Sequence, residues 1–507
     1  MTTDASGVRG ALAVWAARAP RALGDLAYLV YLVALSALIL LGPGVRAVWL
    51  LATGEGGRAV LTDPSMPSTW AAATALVWFA ALVVGRERGP ALRPPFLAAV
   101  LGDADVPRTR SFGGPVLRAT LALVVAGALV PALPVAALVD LGAATPGDAL
   151  LVVATGAVAG LVTAGAWLAG QVLGVRVLTV VMGVLGVGTA LAVAGEWTWA
   201  PWALVGTAWH GAATHTAAGS AGAVASWPGT GAHVGGIVAG VLLALGMGAP
   251  LLAGLERLAT RRIVGQAVRA QRAQALVDAM DLQASGEVYR ALPTAGRRLT
   301  AVGHVPGPAA VVVADVAGSL RTPARLLGGV VALVLAGAVV GTELPGTTLT
   351  VGPVLAAVLA YAGVSVLCDG LRHAAALGEG SAQYGLSLPA LRGLHAVWPT
   401  LAGVGLAVAG AALAGAPVGL AAAVVGVVVA VRLADVLKGV MPVEMLVPIV
   451  TPMGDLSAAG RAVWLADGPL LVLAAGVAGA FAADGRGGLG LVAALVVAVL
   501  GRRASRR

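Results

Sequence analysis

Long apolar stretches, each fenced by single charged residues, recur along this chain. Charge-free runs lie between Asp25 and Arg46, Asp63 and Arg86, Arg118 and Asp140, Asp148 and Arg176, and Arg176 and Glu196. A sixth falls toward the C-terminal end of the gap from Glu196 to Glu256. After a polar segment come Arg325 to Glu343, Glu343 to Asp369, and Arg392 to Arg432, the last long enough for two helices split near Gly415–Pro417. Two shorter runs, Asp467 to Asp484 and Arg486 to Arg502, follow. A hydrocarbon core is crossed by about 20 apolar residues in helical form. The pattern therefore predicts an all-α, polytopic integral membrane protein with about twelve transmembrane helices in two six-helix halves.

The polar segment between the halves holds ten arginines, from Arg257 to Arg325. Its first part has helical periodicity and is expected to prolong the sixth helix; Gly286, Pro293, Gly296 and the run 303–308 then interrupt it. The predicted organisation is a first membrane half over 1–255, a helical linker over 256–308 and a second half over 309–507. Each half opens on an amphipathic stretch, near 8–25 and 309–324, of the kind that lies along a membrane surface. Each also has a polar excursion after its second span, 86–114 and 369–396, with a short helix-capable core bounded by Gly or Pro. This is a repeat of architecture more than of sequence.

Composition agrees with the pattern: 59% of the 507 residues are hydrophobic and 11% charged, far from a soluble domain. Basic residues set orientation. With the N-terminus inside, only Arg46, Arg58 and Arg486 of the 32 Lys and Arg fall outside, leaving 29 on the inner face. Both termini are expected to be cytoplasmic in a multi-pass protein of the cell membrane. The +9 net charge then reflects topology and contact with anionic membrane lipids, not nucleic-acid binding.

Catalytic signatures are missing. The sequence has no GxxxxGK[ST], HExxH, CxxC or GxSxG, so it supplies no P-loop ATPase of its own. No catalytic, cofactor or metal site is expected. The lone Cys368 forms no intrachain disulfide. His210, His215 and His233 share an outer loop with Trp197, Trp199, Trp202, Trp209 and Trp227. Without an acidic or thiolate partner these read as structural anchors at a membrane interface. The GxxxG pairs Gly156–Gly160 and Gly236–Gly240 permit close helix approach, although 72 glycines produce many such pairs by chance.

GRERGP at 85–90, GLRHAA at 370–375, YGLSLPALRGLHAVWP at 384–399 and TPMGDLSAAGRAVWLADGPLL at 451–471 resemble an actinobacterial ABC-2-type permease with two fused membrane halves. The resemblance in layout covers nearly the whole chain. It implies the membrane-spanning subunit of an ATP-driven exporter, with ATP hydrolysed by a separate P-loop ATPase dimer. It also implies coupling helices in loops 86–114 and 369–396, with Arg86, Glu87, Arg88, Asp369, Arg372 and His373 placed to support the ATPase contact. The substrate would be hydrophobic or amphipathic. The plain alternative for Arg86, Arg88 and Arg372 is positive-inside anchoring. Two competing classes are a secondary carrier of the major-facilitator kind, which calls for intramembrane charge, and a membrane enzyme acting on lipid-linked substrates.

Overall fold

The computed structural model describes residues 42–193, 201–214, 250–279, 282–290, 307–343, 351–376, 385–439, 441–447 and 457–504, with the short pieces 295–296, 450–451 and 454–455 and isolated positions elsewhere. The chain divides into two compact units, Met1–Gln274 and Ala275–Arg507. The described residues are helical apart from turns and one antiparallel pair of two-residue strands, β1 (Val450–Thr451) and β2 (Gly454–Asp455).

The first unit contains α1 (Gly42–Thr53), α2 (Glu55–Leu61), α3 (Met66–Glu87), α4 (Pro95–Asp103), α5 (Arg108–Asp140), α6 (Pro146–Val172), α7 (Val175–Val193) and α8 (Leu204–Thr214), and α9 (Thr260–Asp278) begins in it. The second contains α10 (Leu282–Glu287), α11 (Ala309–Leu320), α12 (Pro323–Val339), α13 (Gly352–Val364), α14 (Asp369–Ala376), α15 (Leu388–Ala414), α16 (Val418–Val436), α17 (Ser457–Ala483) and α18 (Leu489–Ala504).

Helix ends follow local chemistry. Thr145 and Asp148 form a reciprocal capping box at the start of α6, with Pro146 in the first turn. The expected split at Gly415–Pro417 is present: Gly415 ends α15 at φ 65° and Pro417 precedes α16.

Among the described residues six helices are long and apolar enough to cross a bilayer: α3, α5, α6, α15, α16 and the Val463–Ala483 part of α17. The count reaches eight if α11 with α12, and α13 with α14, are each one bent span. The chain thus has the make-up of a membrane-spanning, all-helical protein. The first expected span, and most of the sixth, lie outside the described residues. In α7 the stretch Arg176–Gly186 is apolar but short, and α18 has 16 residues. The linker differs from expectation at its start: the helix breaks at 257–259 and α9 begins anew at Thr260.

The helix order repeats, and three of its pairings recur. In the first unit α3 packs on α6 and α7, and α5 packs on α6; in the second α13 packs on α16 and α17, and α15 on α16. Glycines make these crossings close. A Cβ added at Gly160 would collide with the Leu123 carbonyl oxygen, and one at Gly156 with that of Gly127. Gly170 abuts the Leu82 carbonyl in the same way. In the second unit Gly337 of α12 and Gly410 of α15 abut the carbonyls of Ala407 and Val334. The Gly156–Gly160 pair therefore forms a helix crossing. Trp209 is buried within protein, its Nε1 donating to the Leu61 carbonyl at 2.9 Å and its ring 5.5 Å from that of Trp70. It anchors α8 to α2 and α3 instead of lying in a lipid interface.

Gly160→Val should cost about 1–3 kcal/mol through overpacking and lower the thermal midpoint in detergent. Gly183→Ala, with nothing within 4 Å of the added carbon, should leave the midpoint unchanged.

Candidate functional site

The two polar excursions become corners built around short helices, α4 in the first unit and α14 in the second. The first corner is held by neutral polar groups. Gln171, fully buried on α6, accepts from the Ala91 N–H at 3.0 Å and donates to Gln266 of α9 at 2.8 Å. Gln266 in turn donates to the Arg86 carbonyl at 2.8 Å, and Trp167 donates to the Arg88 carbonyl at 2.7 Å. These bonds turn the chain sharply after α3. Gly89 sits against the Gln171 side chain, where a Cβ has no room. Buried amides of this kind persist only when their bonds are made.

The far side of this corner rests on Glu256. Its carboxylate accepts from the backbone N–H groups of Arg108 and Thr109 at 2.8 and 2.9 Å and from the Thr109 hydroxyl at 2.8 Å. A carboxylate from elsewhere in the chain thus caps the start of α5, where the helix dipole favours negative charge. Thr260 donates to the Gly102 carbonyl at 2.8 Å and ties down the end of α4. With Leu97, Ala98 and Leu101 buried, α4 turns Phe96 and Val100 outward, 56% and 45% exposed.

The second corner is ionic. Asp369, the first residue of α14, takes a two-pronged contact from Arg325 at 2.6 and 3.1 Å. It is also paired with Arg372 at 2.9 Å and Arg290 at 3.1 Å. Beside it Arg432 of α16 pairs with Asp435 at 2.9 Å and lies 4.5 Å from the centre of the Tyr361 ring, while the Tyr361 hydroxyl donates to Asp435 at 2.7 Å. Asp467 of α17 is held by Lys438 and Arg503. The Asp315–His395 pair, 2.8 Å apart and nearly buried, fastens α11 to α15, as does the bond from Trp398 to Ser319.

The six residues expected to support a partner separate into two kinds. In the first corner Arg88 is exposed, Arg86 and Glu87 are half-buried, and Glu87 stands 3.7 Å from Arg269. In the second, Asp369 and Arg372 face each other within the ionic cluster and only His373 is exposed. Asp369–Arg372 and Arg432–Asp435 are (i, i+3) neighbours on their helix faces. Tyr361, Lys438, Asp467 and the outward Phe96 and Val100 were missed, since only the tertiary fold brings the first three together. The i, i+4 spacing of Phe96 and Val100 was the one available signal. No family model, characterised protein or solved structure matches the chain.

Burial works against an ionised Glu256, but the backbone bonds from Thr109 and Arg108, with the Thr109 hydroxyl and the Arg108 charge, hold its carboxyl below the ordinary value of 4.5. A depressed folded pKa stabilises above the unfolded value and loses that contribution as pH falls through the folded one. The wild type should therefore melt above Glu256→Gln at pH 7, and the gap should close as pH drops below 4.5. Asp369→Asn, which leaves three guanidinium groups without their shared carboxylate, should destabilise by up to about 3 kcal/mol. Arg290→Gln, whose side chain is 41% exposed, should cost far less; thermal midpoints compare the two.

Proposed function

We propose that this chain is the membrane-spanning permease subunit of an ATP-driven, ABC-2-type exporter, coupled to a separate ATP-binding subunit. The observation that carries the reading is the repeated order of apolar helix, short corner helix and two spans, with three helix pairings that recur in both units. Such a layout fits two halves that move against each other when a partner grips their corners. On this reading the chain has about twelve spans, both termini are cytoplasmic, and it resides in the cell membrane. The corners face a P-loop ATPase dimer, and the substrate is hydrophobic or amphipathic. α4 would form one contact through its exposed Phe96 and Val100, with Arg88 at its edge. α14 would offer His373, while Asp369, Arg372, Arg86 and Glu87 brace the corners from within.

One observation favours a second reading, a secondary carrier. Asp435 lies on α16 and Asp467 within the apolar part of α17, and charge at such positions serves ion coupling in carriers.

Affinity purification of the tagged full chain in mild detergent, followed by mass spectrometry and an ATPase assay, separates the two. A P-loop ATPase should co-purify, and the double variant Phe96→Ser, Val100→Ser should reduce its recovery at least about tenfold with the thermal midpoint unchanged. A well-folded chain that brings down no ATPase would sink the exporter reading in favour of the carrier.

A further inference from the structure

At the charged end of the second unit the helices leave a cavity of 470 Å³, the size of a small-ligand site. Five cationic side chains line it (Arg290, Arg325, Arg372, Arg432 and Lys438) against two acidic ones, Glu287 and Asp435. The carboxylates just behind the lining do not cancel this excess. Asp369 is shared by Arg290, Arg325 and Arg372, and Asp467 is shared by Lys438 and Arg503.

These cations are poorly hydrated. The side chains of Arg372, Arg432 and Lys438 are 13%, 16% and 7% exposed. Like charges confined in this way repel through a medium of lower dielectric than water. An anion in the cavity would relieve that repulsion, and guanidinium forks match phosphate oxygens two at a time. Tyr361, Met441, Trp464 and Pro469 add an aromatic and apolar wall, suited to what a phosphate is esterified to. The volume exceeds the needs of a bare oxyanion.

We propose that this cavity is a binding site for a phosphate group, carried by an anionic lipid or by a soluble phosphate compound. The inference concerns binding alone and stands whether or not the chain is a permease.

The test uses the purified full chain. Equilibrium binding of radiolabelled inorganic phosphate is measured in neutral detergent. Native mass spectrometry is run after reconstitution in nanodiscs of phosphatidic acid and phosphatidylcholine. Saturable phosphate binding assigns a soluble ligand. Retention of phosphatidic acid over phosphatidylcholine by about tenfold or more, without free-phosphate binding, assigns a lipid headgroup; either result supports the site. Arg432→Gln should weaken the interaction about tenfold and the more exposed Arg290→Gln about threefold, while Arg58→Gln in the first unit changes nothing. Arg290→Gln carries the mapping if Arg432→Gln fails to fold. The proposal is overturned if the wild type binds neither ligand, or if folded Arg290→Gln and Arg432→Gln bind as the wild type does.

Discussion

In a bilayer a leucine gains nothing by leaving lipid for the side of another helix, so helices associate through close packing of small residues. Both units obey this constraint at their glycines. Gly127 meets Gly156 and Gly160 between α5 and α6, Gly85 meets Gly170 between α3 and α6, and Gly410 meets the α12 backbone near Gly337. At each crossing a carbonyl occupies the space a Cβ would need. The remaining geometry follows from these contacts, because they set which helix ends meet and therefore which charged residues are brought together.

In the second unit the ends so gathered are those of α12, α13, α16, α17 and α18. Arg325 at the start of α12 reaches Asp369 beyond α13. Tyr361 on α13 reaches Asp435 on α16, and Arg503 near the end of α18 reaches the Ala434 carbonyl. Alternating helix direction places these groups at one level, near the helix ends. Apolar packing is thus the reason that so many charges share one small volume. Their mutual pairing reduces the cost of burial, yet cations still outnumber carboxylates around the cavity.

The helices themselves were legible because a span has a length and a composition that any fenced apolar run displays. The boundary at Gly415–Pro417 was legible for a local reason, an αL terminator followed by a residue that cannot continue the helix. The partners of Gln171, Glu256 and Asp369 were not, since their contacts join residues 80, 148 and 44 positions away. Spacing alone does not single out Gly156–Gly160: in a glycine-rich chain the motif is common, and only the opposing Gly127 reveals which copy is a crossing. The aligned charges at 369, 432 and 467 read as fences around spans. Their second role, as one cluster, depends on helix ends that sequence spacing does not pair.

The two corners answer the same geometric demand with different chemistry. Gln171 and Gln266 fix the first corner through neutral amides, so its short helix is held from beneath and its outer face carries the exposed Phe96 and Val100. Asp369 fixes the second through three guanidinium groups, which turns the charge of α14 inward and leaves mainly His373 outside. The ionic solution is the costlier to bury, and it comes with an excess of positive charge around an open cavity. That asymmetry distinguishes the two corners: the first leaves Phe96 and Val100 exposed, and the second gathers its charges around a cavity.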